Sequence, residues 1–260
     1  MQAGVWCEFY SAGFFGYGEK GDFQYGSIWH LLPIVLLIAG VFFTCRYAAQ
    51  IRSWKHEESF RFLLAFVILL VEMSYFWRLL YVGSASMEKH NLMDKLPLQV
   101  CEWSAILSAF MLMKKSRSLY DICFYICFTL GVVPMITPAV ISFTGPRYFR
   151  YYQFWLEHIL PFYAVVYMTA VHGFVSERKM AWKPLLLLVI LAAFAIPANL
   201  AYENANYLYL AANTDGASVA NLLPANLWLR AGIYLCVVLL LFFLLSLLLP
   251  WLKKRFAANA

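Results

Sequence analysis

Apolar stretches and short basic clusters alternate along this chain. "LLPIVLLIAGVFF" (31–43) and "LCVVLLLFFLLSLLL" (235–249) contain no charge at all. Between them, further apolar runs are broken by groups such as "RSWKHEESFR" and "KKSRS". The runs predict seven spans, at about 28–47, 60–82, 96–113, 119–142, 151–174, 183–200 and 228–250. Each approaches or exceeds the ~20 residues that carry a helix across the hydrocarbon core. The connections are short except for 201–227. The expected architecture is therefore all-α: one seven-transmembrane-helix bundle over 28–250, with an N-terminal segment (1–27) and a basic tail (251–260).

Charge sets the expected orientation. One alternate set of loops holds thirteen Lys and Arg: 46, 52, 55, 61, 114, 115, 117, 178, 179, 183 and 253–255. The other holds six (Lys20, Lys89, Lys95, Arg147, Arg150 and Arg230), with Arg78 inside span 2. The richer set belongs on the cytoplasmic side. That makes 1–27 extracellular and the tail cytoplasmic. Composition agrees with a membrane class: 63% of residues are hydrophobic and 13% charged, against about one-quarter charged in soluble domains. The net charge of +6 then reads as loops facing anionic lipid, not as a nucleic-acid surface. The N-terminus lacks the basic start and unbroken apolar core of a cleavable signal.

The polar residues inside the spans are few and share a depth. Span 3 opens on "LPLQVCEWS" (96–104), which places Cys101 about 7–8 Å along its axis; His158 lies about 10 Å into span 5. Arg78 is about 6 Å, and Glu72 about 15 Å, from the outer end of span 2. Glu102 and Glu157 lie in the same layer. Asn199, Glu203, Asn206 and Tyr207 follow the outer end of span 6, and Thr137 and Pro138 that of span 4. The cytoplasmic half offers only Asp121, His172 and loop charges. Ionisable groups within a bilayer face the bundle interior and mark function, so the outer layer is the candidate site.

Cys101 is the strong nucleophile of that layer. It follows Pro97 in the first turns of a helix, where unpaired amides and the dipole favour a thiolate. His158 is the histidine at matching depth and the candidate base. Glu157 projects about 100° away from His158 on the same helix, which leaves Glu72, Glu102 or Asn206 to orient the ring. Arg78 pairs with Glu72 or binds a lipid phosphate. Each feature also has a plain structural reading: cysteine as packing, His158 as a hydrogen-bonded core residue, Glu72 with Arg78 as an ion pair, "RYFRYYQFW" as an interfacial aromatic belt. Cys45, Cys101, Cys123, Cys127 and Cys236 lie in or beside apolar runs, and Cys7 in the tail. This is neither a disulfide framework nor a zinc-type Cys/His pairing. Cys123 and Cys127 read as small core residues. No metal or other cofactor is expected.

"LPLQVCEWS", "GVVPMITP", "FWLEHILPFYAVVY" and "NANYLYL" resemble, in this order, blocks of the YwaF-like bacterial integral membrane proteins. That group is related to eukaryotic transmembrane protein 164. The resemblance covers roughly 60–250. It implies a seven-helix bundle similar to the androgen-induced-gene-1-like lipid hydrolases, in a bacterial cytoplasmic membrane. It further implies a phospholipid acyltransferase with a Cys–His pair, matching Cys101 and His158. The pattern usually has His where this chain has Gln99. Gln preserves a donor and an acceptor there, but not an acid–base function.

Two functions follow from these readings. The first is a lipid acyltransferase or acyl hydrolase working through a thioester on Cys101, with His158 as base and donors such as Gln99 or Asn206 for the oxyanion. Its partner is a membrane phospholipid or other acyl lipid. The second is a transporter or lipid-binding protein with a polar cavity lined by Glu72, Arg78, Glu102 and Glu157. The absence of a half-helix repeat weighs against it. A non-catalytic scaffold would instead show every polar group mutually satisfied.

Overall fold

A computed structural model describes residues 14–15, 23–83, 96–138, 145–202, 205–211 and 222–256. Cys7, Lys20, Lys89, Lys95 and Glu203 lie outside these, as does most of the expected N-terminal segment. Helices follow in the order α1 (Ile28–Arg46), α2 (Ala48–Ser53), α3 (Glu57–Gly83), α4 (Val100–Lys114), α5 (Arg117–Phe128), α6 (Val133–Ile136), α7 (Phe149–His172), α8 (Trp182–Ala201), α9 (Leu227–Ser246) and α10 (Leu249–Phe256). Short 3₁₀ turns occupy Arg178–Ala181 and Tyr207–Tyr209. There is no strand among the described residues.

Six segments are long and apolar enough to cross a membrane: 28–46, 57–78, 117–136, 149–172, 178–201 and 227–256. The expected third span is the exception. α4 has 15 residues, or about 22 Å of helix, because its first four expected residues are spent on an extended approach and a cap. The expected fourth span breaks at Thr129, whose backbone leaves the helical region before α6 begins.

Burial divides the bundle into a centre and a periphery. α3, α4, α5 and α7 form the centre, around Ala65, Ala105, Ala109, Met111, Leu112, Phe124, Val165 and Met168. The alanines at facing positions let the helix axes approach closely. α1, α8 and α9 turn Leu36, Phe42, Phe194 and Trp228 outward, as helices facing lipid do. Cys123 and Cys127 are buried packing residues in α5, and none of the described cysteines forms a disulfide. The aromatic stretch before and within α7 is not mainly a belt. Tyr151, Phe154 and Trp155 are buried; Tyr151 donates to the Trp29 carbonyl at 2.6 Å and packs with Phe154 and Trp155 beside Leu37 of α1. Tyr152 alone among these four keeps an exposed face.

The end of the bundle that carries Lys114 is more polar than its sequence suggests. Glu57 accepts from Tyr167 at 3.0 Å and contacts His172 at 2.8 Å. It also pairs with Arg61 at 3.3 Å. Arg61 donates to the carbonyls of Leu112 and Met113, and Arg52 to that of Val171. These cations satisfy carbonyls that the last turns of α4 and α7 leave open. Asp121 receives Lys183 at 2.7 Å and Ser176 at 2.8 Å. The network is therefore a set of helix caps and ion pairs closing one end.

Candidate functional site

The approach to α4 fixes the site from below. Gln99 is the N-cap of α4, and its backbone N–H donates to the Glu102 carboxylate at 2.9 Å. That half of a capping box satisfies a group the helix start would leave open. The Gln99 side chain spends both its functions on the opposite segment. Its Nε2 donates to the Asn206 carbonyl at 3.2 Å, and its Oε1 accepts from the Leu208 amide at 3.0 Å. The Asn206 side chain accepts from the Ala211 amide at 3.0 Å. Asn199 exchanges two bonds with the Tyr207 backbone, and the Tyr207 hydroxyl accepts from the Leu96 amide at 2.8 Å. "NYLYL" is thus a cap segment folded onto α4 and α8. Leu208 and Tyr209 both sit at positive φ, 56° and 54°, a conformation that costs non-glycine residues free energy and persists only where neighbours enforce it.

This clamp places Cys101 at the second helical position of α4, facing α7. There the Cys101 sulfur, a Glu157 carboxylate oxygen and a His158 ring nitrogen all lie within 4.8 Å of one another. The thiol thus lies directly beside the Glu157 carboxylate. His158 Nδ1 lies 2.7 Å from the Phe154 carbonyl. A carbonyl only accepts, so Nδ1 carries a proton and Nε2 is the nitrogen left for other partners. The Phe154 ring, 4.5 Å away between centroids, restricts the imidazole further. The ring is therefore oriented by its own helix, and not by Glu72, Glu102 or Asn206.

Glu157 is held as firmly. Arg150 pairs with it at 3.0 Å, Gln153 donates to the same oxygen at 2.8 Å, and Arg150 also contacts Gln153. These three residues are spaced at i, i+3 and i+7, which brings them to one face of α7. The Arg150 guanidinium also lies 4.6 Å over the Tyr75 ring of α3. Pro161 has no N–H to donate to the Glu157 carbonyl four residues earlier, so the α7 ladder is interrupted where Glu157 and His158 leave it.

Glu72 approaches from α3. Among the described residues, neither of its buried carboxyl oxygens has a hydrogen-bond partner. Arg78 does not pair with it; its Nε donates to the Phe15 carbonyl at 3.0 Å.

With this geometry in hand, the comparison with known families is specific. A model of the TMEM164 family matches residues 24–249. The chain belongs to the TMEM164 family. The match embraces every helix that builds the site, from α3 through α9. No curated protein and no solved structure matches the chain. TMEM164 family membership and the six apolar segments agree on a multi-pass membrane protein.

The structure brings Cys101, Glu157 and His158 together, with Arg150 and Gln153 behind Glu157. It assigns Gln99, Glu102 and Asn206 to the clamp beneath them, and Arg78 to Phe15. Arg150 and Gln153 were hidden in the sequence by their place at a basic, aromatic span edge. Their spacing with Glu157 was the available signal.

Proposed function

We propose that this TMEM164 family protein is a seven-span membrane acyltransferase or acyl hydrolase. Its substrate is a phospholipid or another acyl lipid, and Cys101 carries the acyl group as a thioester. The observation that carries the reading is the three-way proximity of the Cys101 sulfur, the Glu157 carboxylate and the His158 ring. α4, anchored at its cap, is the third crossing. Irregular backbone at 96–99 and 205–211 is tolerated at membrane depth because the two segments hydrogen-bond to each other. The Lys and Arg asymmetry then sets the Gln99 end outside and the tail on the cytoplasmic side of the cell membrane.

The chemistry follows from the contacts. His158 Nε2 removes the thiol proton, and the Cys101 sulfur attacks the acyl carbonyl carbon. First-turn amides of α4, which have no intrahelical acceptors, face the developing oxyanion. The Gln99 amide, held by its bonds to Asn206 and Leu208, keeps its second N–H as a further donor. Collapse expels the lysolipid oxygen, which takes the proton back from His158. An alcohol or water then attacks the thioester, again losing its proton to Nε2, and the thiol is restored. Glu157 stands beside the resting thiol, with Arg150 and Gln153 fixing Glu157. Glu72 stands where a substrate hydroxyl or headgroup donor would meet an unpartnered carboxyl.

A transporter would need a polar path to the other end. Instead, Ala109, Met111, Leu112, Phe124, Val165 and Met168 fill the bundle between the site and the Glu57 network, which supports the enzyme. The test is mass spectrometry after incubating the purified protein with phospholipid in nanodiscs. Wild type is expected to release or transfer acyl chains and to show a hydroxylamine-sensitive acyl adduct on the Cys101 peptide. Cys101→Ala is expected to do neither, and His158→Ala to lose about 10²–10⁴-fold. Equal turnover in wild type and Cys101→Ala overturns the mechanism.

A further inference from the structure

We infer that Cys101, Glu157 and His158 form a binding site for a thiophilic divalent cation, with Zn²⁺ as the best fit, and that occupation switches the nucleophile off. The switching half rests on the proposed thioester role of Cys101; the binding half does not.

Zinc takes Cys sulfur at ~2.3 Å, His nitrogen at ~2.0–2.1 Å and carboxylate oxygen at ~2.0–2.2 Å in a tetrahedron. Those bond lengths separate neighbouring ligand atoms by about 3.3–3.6 Å. The three donor atoms already lie within 4.8 Å of one another, so closure shortens each separation by at most about 1.5 Å. Three protein ligands leave a fourth position for water, the open arrangement of non-structural zinc sites.

The supporting groups fit a metal as well. His158 donates its Nδ1–H to the Phe154 carbonyl at 2.7 Å, which leaves Nε2 as the ligand. This is the outer-shell pattern of metal-bound histidines. The Glu157 oxygen that receives Arg150 and Gln153 is the same one, Oε2, so Oε1 is available to coordinate. A thiolate, a carboxylate and a neutral imidazole carry two negative charges against the cation's two positive ones. A further buried carboxyl belongs to Glu72 of α3, 2% exposed, with neither oxygen hydrogen-bonded among the described residues. Glu72 and Glu102 favour a cation here and Arg150 opposes it. On binding, the S–H bond breaks, a Zn–S bond forms and the proton leaves to solvent. The sulfur lone pair that would attack an acyl carbonyl is then held by the metal.

The separation of Cys101 from the Glu157–His158 pair by 56 residues hides this site from any search for short metal-ligand spacings. It differs from a zinc finger in having one ligand from α4 and two adjacent ones from α7.

The test uses the full-length protein in detergent, stripped with EDTA, with Co²⁺ as the spectroscopic probe. One equivalent of Co²⁺ is expected to give a thiolate-to-metal charge-transfer band that Zn²⁺ abolishes by competition. Cys101→Ser should lose the band, and Glu157→Gln should weaken binding at least 10-fold. A second measurement needs no variant: Zn²⁺ should protect Cys101 from iodoacetamide, followed by mass spectrometry, and EDTA should restore the labelling. No charge-transfer band together with unprotected Cys101, or a band that persists in Cys101→Ser, overturns the inference. Acyl transfer by the EDTA-stripped protein is measured separately. Activity without cobalt binding refutes the metal site and leaves the thioester mechanism standing. Cobalt binding at Cys101 without any acyl chemistry does the reverse.

Discussion

Replacing Arg150 by methionine should be among the most damaging single changes to the bundle. Arg150 is a buried cation that meets Glu157 at 3.0 Å, contacts Gln153 and covers the Tyr75 ring at 4.6 Å. Two unit charges about 4 Å apart interact by about 4 kcal/mol at an effective dielectric of 20. Removing one partner of a buried pair costs about 3–5 kcal/mol, because the other charge stays buried and uncompensated. Cation–π contact with Tyr75 adds about 0.5–2 kcal/mol. Arg150→Met should therefore lose about 3–5 kcal/mol of unfolding free energy, measured by denaturant titration in micelles. If the orphaned carboxylate is the cause, neutralising it should repair most of the damage. The double variant Arg150→Met/Glu157→Gln is expected to lie within about 2 kcal/mol of wild type, with a coupling energy near 3 kcal/mol. A double variant as unstable as Arg150→Met, with coupling below about 1 kcal/mol, would refute the ion-pair reasoning and assign the loss to packing against Tyr75.

Three further outcomes are expected. Gln99→Leu removes the bonds to Asn206 and Leu208 and should destabilise by about 2–4 kcal/mol, whereas Gln99→His, which keeps a donor and an acceptor, should cost at most about 1.5 kcal/mol; paired unfolding curves distinguish them. Glu72→Met removes an unpartnered buried carboxyl and should leave stability unchanged or raise it by about 1–3 kcal/mol, while lowering acyl turnover if Glu72 meets substrate; a clear destabilisation argues for a partner. Near the tail, the hydrogen bond from Lys179 at 3.0 Å, with its charge and that of Lys253, holds the exposed Glu177 carboxyl below the ordinary carboxylate range. Its contribution is present above the unfolded-state carboxylate pKa and lost as pH falls through the lower folded value. Thermal midpoints of wild type and Glu177→Gln should thus differ slightly at neutral pH, converge in acid, and converge at high salt.

The apolar runs announced a multi-span helical protein because lipid permits few other ways to satisfy a backbone. Lengths were less legible. Residues 96–99 look like membrane helix by hydropathy, yet Pro97 and the Gln99–Glu102 cap make them an approach and a start. Cys101 and His158 were readable together because rise per residue converts position to depth. Their angular relation was not, since it depends on how α4 and α7 pack. Glu157 shows the limit: turned 100° from His158 on the helix, it still reaches the thiol because α4 lies across both. The Glu57 network was missed because Arg61 and Lys115 look like loop charges until the helix ends they cap are known.

Arg230 begins as one more basic residue of a loop and ends as a buried one, 1% exposed. Its guanidinium donates to the carbonyls of Pro224, Leu223, Tyr209 and Ala211. Two of those lie just ahead of α9; the other two belong to the segment that Gln99 grips from the far side. α9 itself packs on the bundle mainly through α5 and the 178–181 turn, well away from α4. A sideways displacement of this lipid-facing helix, by a thicker bilayer or a neighbouring protein, would therefore reach the thiol through one fork of five N–H groups. Lysine, with a single charged point, could not span the same four carbonyls. The last helix is thus mechanically in series with the first turn of α4.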